Sequence, residues 1–115
     1  MAIDVLQTVD VIEVMENFIE SIRPAVQIRD EVDLSYKIEG QSVVVFEIRS
    51  RMLEPKEKIE FPVAKATFVK TEKTWKVFWR RADMKWHSYK PKPIVKTLAE
   101  FVKLIDEDEH CCFWG

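Results

Sequence analysis

Asp83 and His87 are the two residues whose types and spacing come closest to a catalytic pair. Polar residues alternate with apolar ones over residues 81–87, so an extended backbone would place both side chains on one face. An aspartate beside a histidine can orient the imidazole for acid–base chemistry. Because isolated pairs of this kind are common in folded domains, we favour a turn. Asp83 would then accept backbone hydrogen bonds, and His87 would lie at a solvated edge.

Asp33 and the pair Glu47 and Arg49 have the spacing of a different site, that of metal-dependent nucleases of the restriction-endonuclease type. In such enzymes an aspartate and a Glu-x-Lys pair on adjacent strands bring two acids to a magnesium ion. The position of the lysine is occupied here by Arg49, which cannot lose its proton and act as a base. We therefore interpret Glu47 and Arg49 as a cross-strand ion-pairing surface.

Cys111 and Cys112 are adjacent in the chain and are its only cysteines. Neighbouring cysteines are badly placed for an ordinary disulfide. A zinc site would have to recruit His110 and the acids of residues 106–109, but a second ligand pair at finger-like spacing is missing, since His87 is the only other histidine. We predict two reduced thiols, with no bound metal and no cofactor.

The strongest functional signal is the separation of charge along the chain. Residues 65–96 hold ten basic and two acidic side chains, a net charge of +8, whereas the remainder holds eight basic and eighteen acidic ones. Aromatic residues are interleaved with these cations. A sheet face that carried both could bind single-stranded nucleic acid or another anionic ligand, with phosphates on the cations and bases stacked on the rings. The candidate ligand-binding residues are Lys65, Lys76, Arg80, Arg81, Lys85, His87 and Tyr89.

Two other interpretations of the same segment remain open. The rings could form the core and leave the basic side chains on solvated strand faces. The basic region could also dock against acidic strips of the helices in the same chain. Within the segment, Trp75 and Trp79 alternate with polar residues, so both indoles are predicted to be buried against the helices on the same side as Val77.

The elements that must position these residues begin with a helix at each end of the chain. Asp4 and Gln7 have the spacing of a capping box, and Pro24 ends the first helix near Ile22. Thr97 can cap the second helix. The predicted apolar stripes are Val5, Val9, Ile12, Met15, Ile19 and Ile22, widened by Val11 and Phe18, in the first helix, and Leu98, Phe101, Val102 and Ile105 in the second. The predicted acidic strip of the first helix is Asp10, Glu13, Asn17 and Glu20.

Between the helices, alternation with a period of two predicts strands joined by short polar turns. The predicted strands are Val32–Glu39, Ser42 to about Arg51, Phe61–Lys70, Trp75–Arg80 and Lys85–Tyr89, with a loop over Leu53–Glu60. The order of helix, four to five antiparallel strands and helix predicts an α+β fold with both helices packed on one face of the sheet.

Length and composition restrict the class of protein. The 115 residues are typical of one domain, which we predict to span residues 1–115. Apolar residues make up 47% of the chain, yet no apolar run approaches the roughly twenty residues of a membrane span. The first residues show no basic region followed by an apolar stretch, so we expect no signal peptide and a cytoplasmic location without a membrane partner.

Three segments together resemble a known family. They are Pro62–Ala66, the tryptophan-rich block Trp75–Tyr89 with the pattern W-x-V-F-W-x-R-A-D-x-K-W-H-x-Y, and the end of the chain, Asp106–Gly115. The chain is similar over nearly its whole length to a family of small bacterial proteins described as a domain of unknown function. The resemblance implies a bacterial source and a single compact domain, and it implies no activity.

The sequence therefore favours a binding domain over an enzyme, with no catalytic residues assigned. The leading hypothesis is that the basic, aromatic sheet region binds single-stranded nucleic acid or another anionic ligand. The alternative is a protein-interaction or oligomerisation domain, which would use an exposed apolar surface or a sheet edge. An enzyme of an unrecognised type is the third hypothesis.

Overall fold

The structure is a computed structural model that describes residues 4–50 and 57–114. In those ranges, two helices flank a six-stranded antiparallel sheet, which confirms the predicted α+β fold. The elements in chain order are α1 (Val5–Ile22), a 3₁₀ turn (Val26–Ile28), β1 (Val32–Glu39), β2 (Ser42–Ser50), β3 (Lys58–Val69), β4 (Thr74–Arg80), β5 (Trp86–Ser88), β6 (Ile94–Val95) and α2 (Leu98–Glu107).

The sheet is a simple meander in which each strand pairs with the next, in the order β1-β2-β3-β4-β5, while β6 pairs with β4. Two predictions needed correction here. Lys58–Glu60 belongs to β3 and not to a loop, because β3 continues along the full length of β2. The sequence also gave no sign of the two-residue strand β6. The remaining part of the predicted loop, residues 53–56, and the predicted end of β2 at Arg51 lie outside the described residues.

Helix α1 begins and ends where its sequence predicts. The Asp4 carboxylate accepts a hydrogen bond from the Gln7 amide at 2.8 Å, and the helix stops before Pro24. Val11, Met15, Phe18 and Ile19 of the predicted stripe are buried in the core, whereas Val9 and Ile12, also predicted to be buried, are exposed. The predicted acidic strip is exposed throughout.

One face of the sheet packs against both helices and forms the core. Val43, Val45 and Val77 point to this face and are completely buried, as are Phe101 and Ile105 of α2. Trp75 also belongs to the core and is 4% exposed, whereas Trp79 is only partly buried at its border. Trp75 is therefore buried as predicted, whereas Trp79 is less buried than predicted.

The segment after α2 folds back onto the core. Asp108 ends the helix in the left-handed conformation with a φ of 41°, and its carboxylate accepts hydrogen bonds from the amides of Phe113 and Trp114. The Trp114 indole donates to the carbonyl of Ile105, and Phe113 packs on Tyr89 with 4.9 Å between ring centroids. In the part of the chain that the structure describes, neither helix is both long and apolar enough to cross a membrane.

Candidate functional site

The sheet face turned away from both helices carries the candidate site, and we call it the open face. Val44 of β2 pairs with Lys65 of β3, which in turn pairs with Phe78 of β4. Their chain neighbours point into the helix-covered core, and side chains alternate along a strand, so these three project to the opposite side. Val44 and Phe46 are buried although they lie outside the cluster of residues that packs on the helices. Long side chains of the open face therefore cover them.

Strand β4 sets the order of groups on the open face. Lys76, Phe78 and Arg80 occupy alternate positions, so they form a basic–aromatic–basic row with steps of about 7 Å. Trp86 of β5 pairs with Arg80 and adds a second ring next to the row. The part of the open face over β3, β4 and β5 thus carries Lys65, Lys76, Phe78, Arg80 and Trp86.

The cations and rings of the open face are in direct contact. The Lys65 ammonium lies 4.9 Å from the ring centroid of Phe78 and 5.0 Å from that of Trp86. The Arg80 guanidinium carbon lies 5.8 Å from the centroid of Trp86. Burial against these rings lowers the pKa of Lys65, and the carboxylate of Glu39 opposes that shift. The site is a layered arrangement of cations and aromatic rings.

The charges of the open face are unevenly neutralised. Lys37 at the β1 end forms ion pairs with Glu39 and Glu60, each at 3.2 Å. Among the described residues, in contrast, Lys65, Lys76 and Arg80 have no acidic partner within ion-pair distance. The Arg80 Nε atom is also buried without a hydrogen-bond partner. The part of the face over β3, β4 and β5 therefore presents net positive charge to solvent.

The other candidate residues from the sequence lie elsewhere. Arg81 covers Trp79, with 5.4 Å from its guanidinium carbon to a ring centroid. Lys85 is exposed in the turn before β5, and His87 pairs with Trp79, on the opposite side of the sheet from Phe78. Tyr89 is 2% exposed in the core, where its ring cannot stack on a ligand. The structure brings together Lys65, Lys76 and Arg80 from the predicted set and separates the other four from them.

Phe78 and Trp86 complete the site, although sequence reasoning did not select them as site residues. The signal that could have found them is the alternation along β4, where Phe78 lies between two basic residues and out of phase with the core residue Val77. Trp86 precedes His87 in a three-residue strand, so its face depends on the pairing with Arg80 and not on any period within the strand.

The predicted turn at Asp83 is present. Its carboxylate accepts a hydrogen bond from the Lys85 amide at 2.9 Å and lies 2.8 Å from Nε2 of His87. The Lys85 amide and, next, His87 lower the pKa of Asp83. The pair is solvated at the surface, since Asp83 is exposed and His87 is partly so. The contact belongs to an ordered turn and lacks the enclosed surroundings of a catalytic dyad.

Asp33 and Glu47 do not converge on a common point. Asp33 pairs with Ile48 while Leu34 pairs with Glu47, so the two acids lie on opposite faces of the β1–β2 ribbon. The Arg23 guanidinium holds Asp33 through two hydrogen bonds of 2.7 and 3.0 Å, and Arg49 holds Glu47 at 2.8 Å. In the described ranges, no group of three or more histidine, cysteine or acidic side chains is arranged to hold a metal ion.

A cleft between α2 and the segment after β5 is another concave region, with a volume of about 450 Å³. The two lysines that line it face acids, with Lys92 at 3.9 Å from Glu100 and Lys103 at 3.8 Å from Glu107. Since these charges are already paired, the cleft offers less to an ionic ligand than the open face does.

Comparison with known proteins identifies the family. The model of the family described as Domain of unknown function (DUF3024) matches residues 3–115. The chain belongs to this family. The match confirms the resemblance found in the sequence, and the DUF3024 description assigns no activity. No curated protein and no solved structure matches this DUF3024 chain. The open face is therefore interpreted from its own geometry.

Proposed function

We propose that this DUF3024 domain binds single-stranded nucleic acid on the open face and acts without catalysing a reaction. One observation carries the proposal: the row Lys76–Phe78–Arg80 alternates cation, ring and cation on a sheet face that no helix of the described chain covers. Sequence-independent binders of single strands combine the same two components, a positively charged track for the backbone and aromatic platforms for the bases.

Each component has a defined task. Lys65, Lys76 and Arg80 would contact phosphates, and no ion pair with another described residue has to be broken first. Phe78 and Trp86 would stack on bases, which is worth about 1–3 kcal/mol for each base. The contacts between cations and rings keep both groups in position before a ligand arrives.

The overall charge of −2 opposes binding to a polyanion, but the acids Glu39 and Glu60 lie at the β1 end of the face, where they pair with Lys37. The exposed acids of α1 lie beyond the core on the other side of the sheet. At about 0.1 M salt the Debye length is about 10 Å, comparable to the separation of packed layers, so the local cations dominate at the open face. We also propose a cytoplasmic location, which suits the two free thiols Cys111 and Cys112.

Fluorescence anisotropy with a labelled single-stranded oligonucleotide tests the proposal. The wild-type protein should bind at about 10 mM salt, where the Debye length is about 30 Å. Replacing Lys65, Lys76 and Arg80 with Gln should weaken binding. It should also reduce the slope of log affinity against log salt by about 2, as expected for three lost phosphate contacts.

The matched control removes the same charge from other parts of the surface. Lys70, Lys90 and Lys103 are exposed and outside the open face. Replacing these three residues with Gln should therefore reduce the affinity for the oligonucleotide only slightly relative to wild type. If both triple variants bind alike, binding reflects overall charge alone. If wild type shows no binding at micromolar protein in low salt, the proposed function is wrong.

A further inference from the structure

Helix α1 has an apolar strip that faces solvent. Leu6, Val9 and Ile12 are 81%, 58% and 42% exposed, at spacings of three residues that place them along one side of the helix. The same helix already buries Val11 and Met15 on its core side. The N-terminal half of α1 is thus apolar on two sides, although the fold uses only one of them.

The C-terminal half of this exposed side is acidic. Glu13, Glu16 and Glu20 follow the apolar strip and are exposed, and Glu16 also accepts a hydrogen bond from the Tyr36 hydroxyl of β1 at 3.1 Å. No basic residue occurs between Val5 and Ile22. The outer side of α1 therefore offers an apolar patch followed by three carboxylates, and its chemical complement is a surface that combines apolar rings with unpaired cations.

The open face has those properties, and every copy of the chain carries it. We propose that the outer side of α1 from one molecule docks on the open face of a second copy. The acids would approach Lys65, Lys76 and Arg80, while the apolar strip would cover the exposed parts of the rings. The docked helix would give the sheet a helical layer on its second face, an arrangement that many sheets have within one chain.

The dimensions of the two surfaces are compatible. Glu13 and Glu20 are seven residues apart on a helix, which corresponds to about 10 Å along its axis. Lys76 and Arg80 are four residues apart on a strand, which corresponds to about 13 Å. Long side chains on both surfaces can bridge the difference.

Charge also decides the symmetry of the assembly. Pairing of α1 with α1 about a two-fold axis would set acid against acid, and pairing of two open faces would set cation against cation. The complementary contact joins two different surfaces, so it is heterologous and leaves one free surface at each end of the assembly. Growth of the assembly with protein concentration is therefore expected, without a stop at the dimer.

This inference uses the charges of the open face and does not depend on nucleic-acid binding. If both occur, a polynucleotide and α1 of a neighbouring molecule compete for the same cations, and an added oligonucleotide should dissociate the assembly.

Sedimentation velocity of the full chain over a concentration series, without nucleic acid, tests the contact. At about 10 mM salt the average sedimentation coefficient should rise with concentration, and at about 1 M salt, with a Debye length of about 3 Å, most of that rise should disappear. Replacing Leu6 and Val9 with Ser should weaken association in low salt, because the apolar strip is lost while the charges remain.

A charge exchange identifies the two surfaces. The helix variant carries Glu13→Lys and Glu20→Lys, and the face variant carries Lys76→Glu and Arg80→Glu. Each alone should remain monomeric, because its two surfaces then have the same sign. An equimolar mixture should associate again through two contacts: the basic helix of the helix variant meets the acidic face of the face variant, and the unchanged acidic helix of the face variant meets the unchanged basic face of the helix variant. Lys76→Glu alone, at an exposed position, serves if the double face variant folds poorly.

Three results would overturn the proposal: a wild-type protein that stays monomeric at every concentration in low salt, a mixture of the two variants that does not associate, or a series that ends at a closed dimer. Oligonucleotide binding is measured separately at protein concentrations below the onset of association. A failure of the assembly and a failure of nucleic-acid binding are therefore distinguishable.

Discussion

The Lys65 ammonium lies 4.9 Å from the ring centroid of Phe78, its cross-strand neighbour, and covers part of the ring on the open face. The contact has two consequences. It holds a cation where a phosphate of a bound strand would pass, and it occupies ring surface that a stacking base would use. A base that stacks on this side of Phe78 must displace the ammonium, which can then move to the backbone of the ligand.

Replacing Lys65 with Met removes the positive charge but keeps an unbranched apolar side chain that can pack against the rings. Burial already disfavours the charged form of Lys65, as its lowered pKa indicates, and a thioether makes favourable contacts with rings in place of the cation. The free energy of unfolding should stay within about 1 kcal/mol of wild type. The slope of log affinity against log salt for oligonucleotide binding should decrease by about 0.7, as expected for the loss of one phosphate contact. Urea unfolding and anisotropy measure the two effects, and a large loss of stability would show that the cation is needed by the fold itself.

Trp75 and Trp79 should differ in their contribution to stability. Trp75 is 4% exposed and stacks against Phe68 at 5.1 Å, so Trp75→Ala should cost about 3–5 kcal/mol, as for other large rings in cores. Trp79 lies at the border of the core under Arg81, so Trp79→Ala should lower the free energy of unfolding by about half as much. Denaturant unfolding of both variants decides the order. If both variants lose the same free energy of unfolding, Trp79 contributes as much to the core as Trp75 does, and the prediction is wrong.

The pair Arg23 and Asp33 should stabilise the fold above acidic pH. Hydrogen bonds from Arg23, and next from the Leu34 amide, lower the pKa of Asp33, so its stabilisation is complete above the unfolded value of about 4 and is lost as pH falls through the folded pKa. Asp33→Asn should therefore destabilise the protein by about 1 kcal/mol at pH 7, an amount reduced for partial exposure. The difference from wild type should vanish below both pKa values. A difference that is independent of pH would mean that the charge of Asp33 is irrelevant.

The two cysteines should react with a thiol reagent at different rates. Cys111 is exposed, whereas Cys112 is partly buried, and burial raises the pKa of its thiol. Because the thiolate is the reactive form, Cys111 should react first in the native protein, and both thiols should react after denaturation without a reductant. A chelator should leave the melting temperature unchanged. A lower melting temperature after chelation would contradict the prediction that no structural metal is bound.

The sequence predicted the type of each main element and most of the buried side of α1, but it also assigned Val9 and Ile12 to that side. Apolar residues surround the N-terminal half of that helix, so the helical period alone could not show that Val11 is buried while Val9 and Ile12 are exposed. Packing against the sheet and α2 makes the choice. Strand β6 has two residues, too few to show any period, and it exists because of its pairing with Trp75 and Lys76.

The candidate site was predictable where alternation determines it. The period of two on β4 separates Lys76 and Arg80 from Trp75 and Val77, and this separation is present in the structure. Alternation could not place Tyr89, because the chain leaves the sheet after Ser88 and turns the ring into the core. The contact of Lys65 with Trp86 spans three strands and depends on the register of two pairings, which a single sequence does not specify.

Phe78 and Phe61 provide the sharpest separation of stacking from charge in the proposed function. Phe78 lies in the basic row of the open face, and Phe61 is 41% exposed on β3 beside Glu47, away from the row. Phe78→Leu keeps an apolar side chain at this position but removes the stacking surface. Oligonucleotide affinity should fall about tenfold, which is about 1.4 kcal/mol and within the range of one stacked base.

The salt dependence of the Phe78→Leu variant should match that of wild type, because no phosphate contact is lost. The control variant Phe61→Leu should bind like wild type in both respects. Anisotropy titrations at several salt concentrations measure affinity and slope together. If both Leu variants bind as wild type does while the charge variants of the face do not, the strand is held by its phosphates alone and the rings serve only to position Lys65 and Arg80.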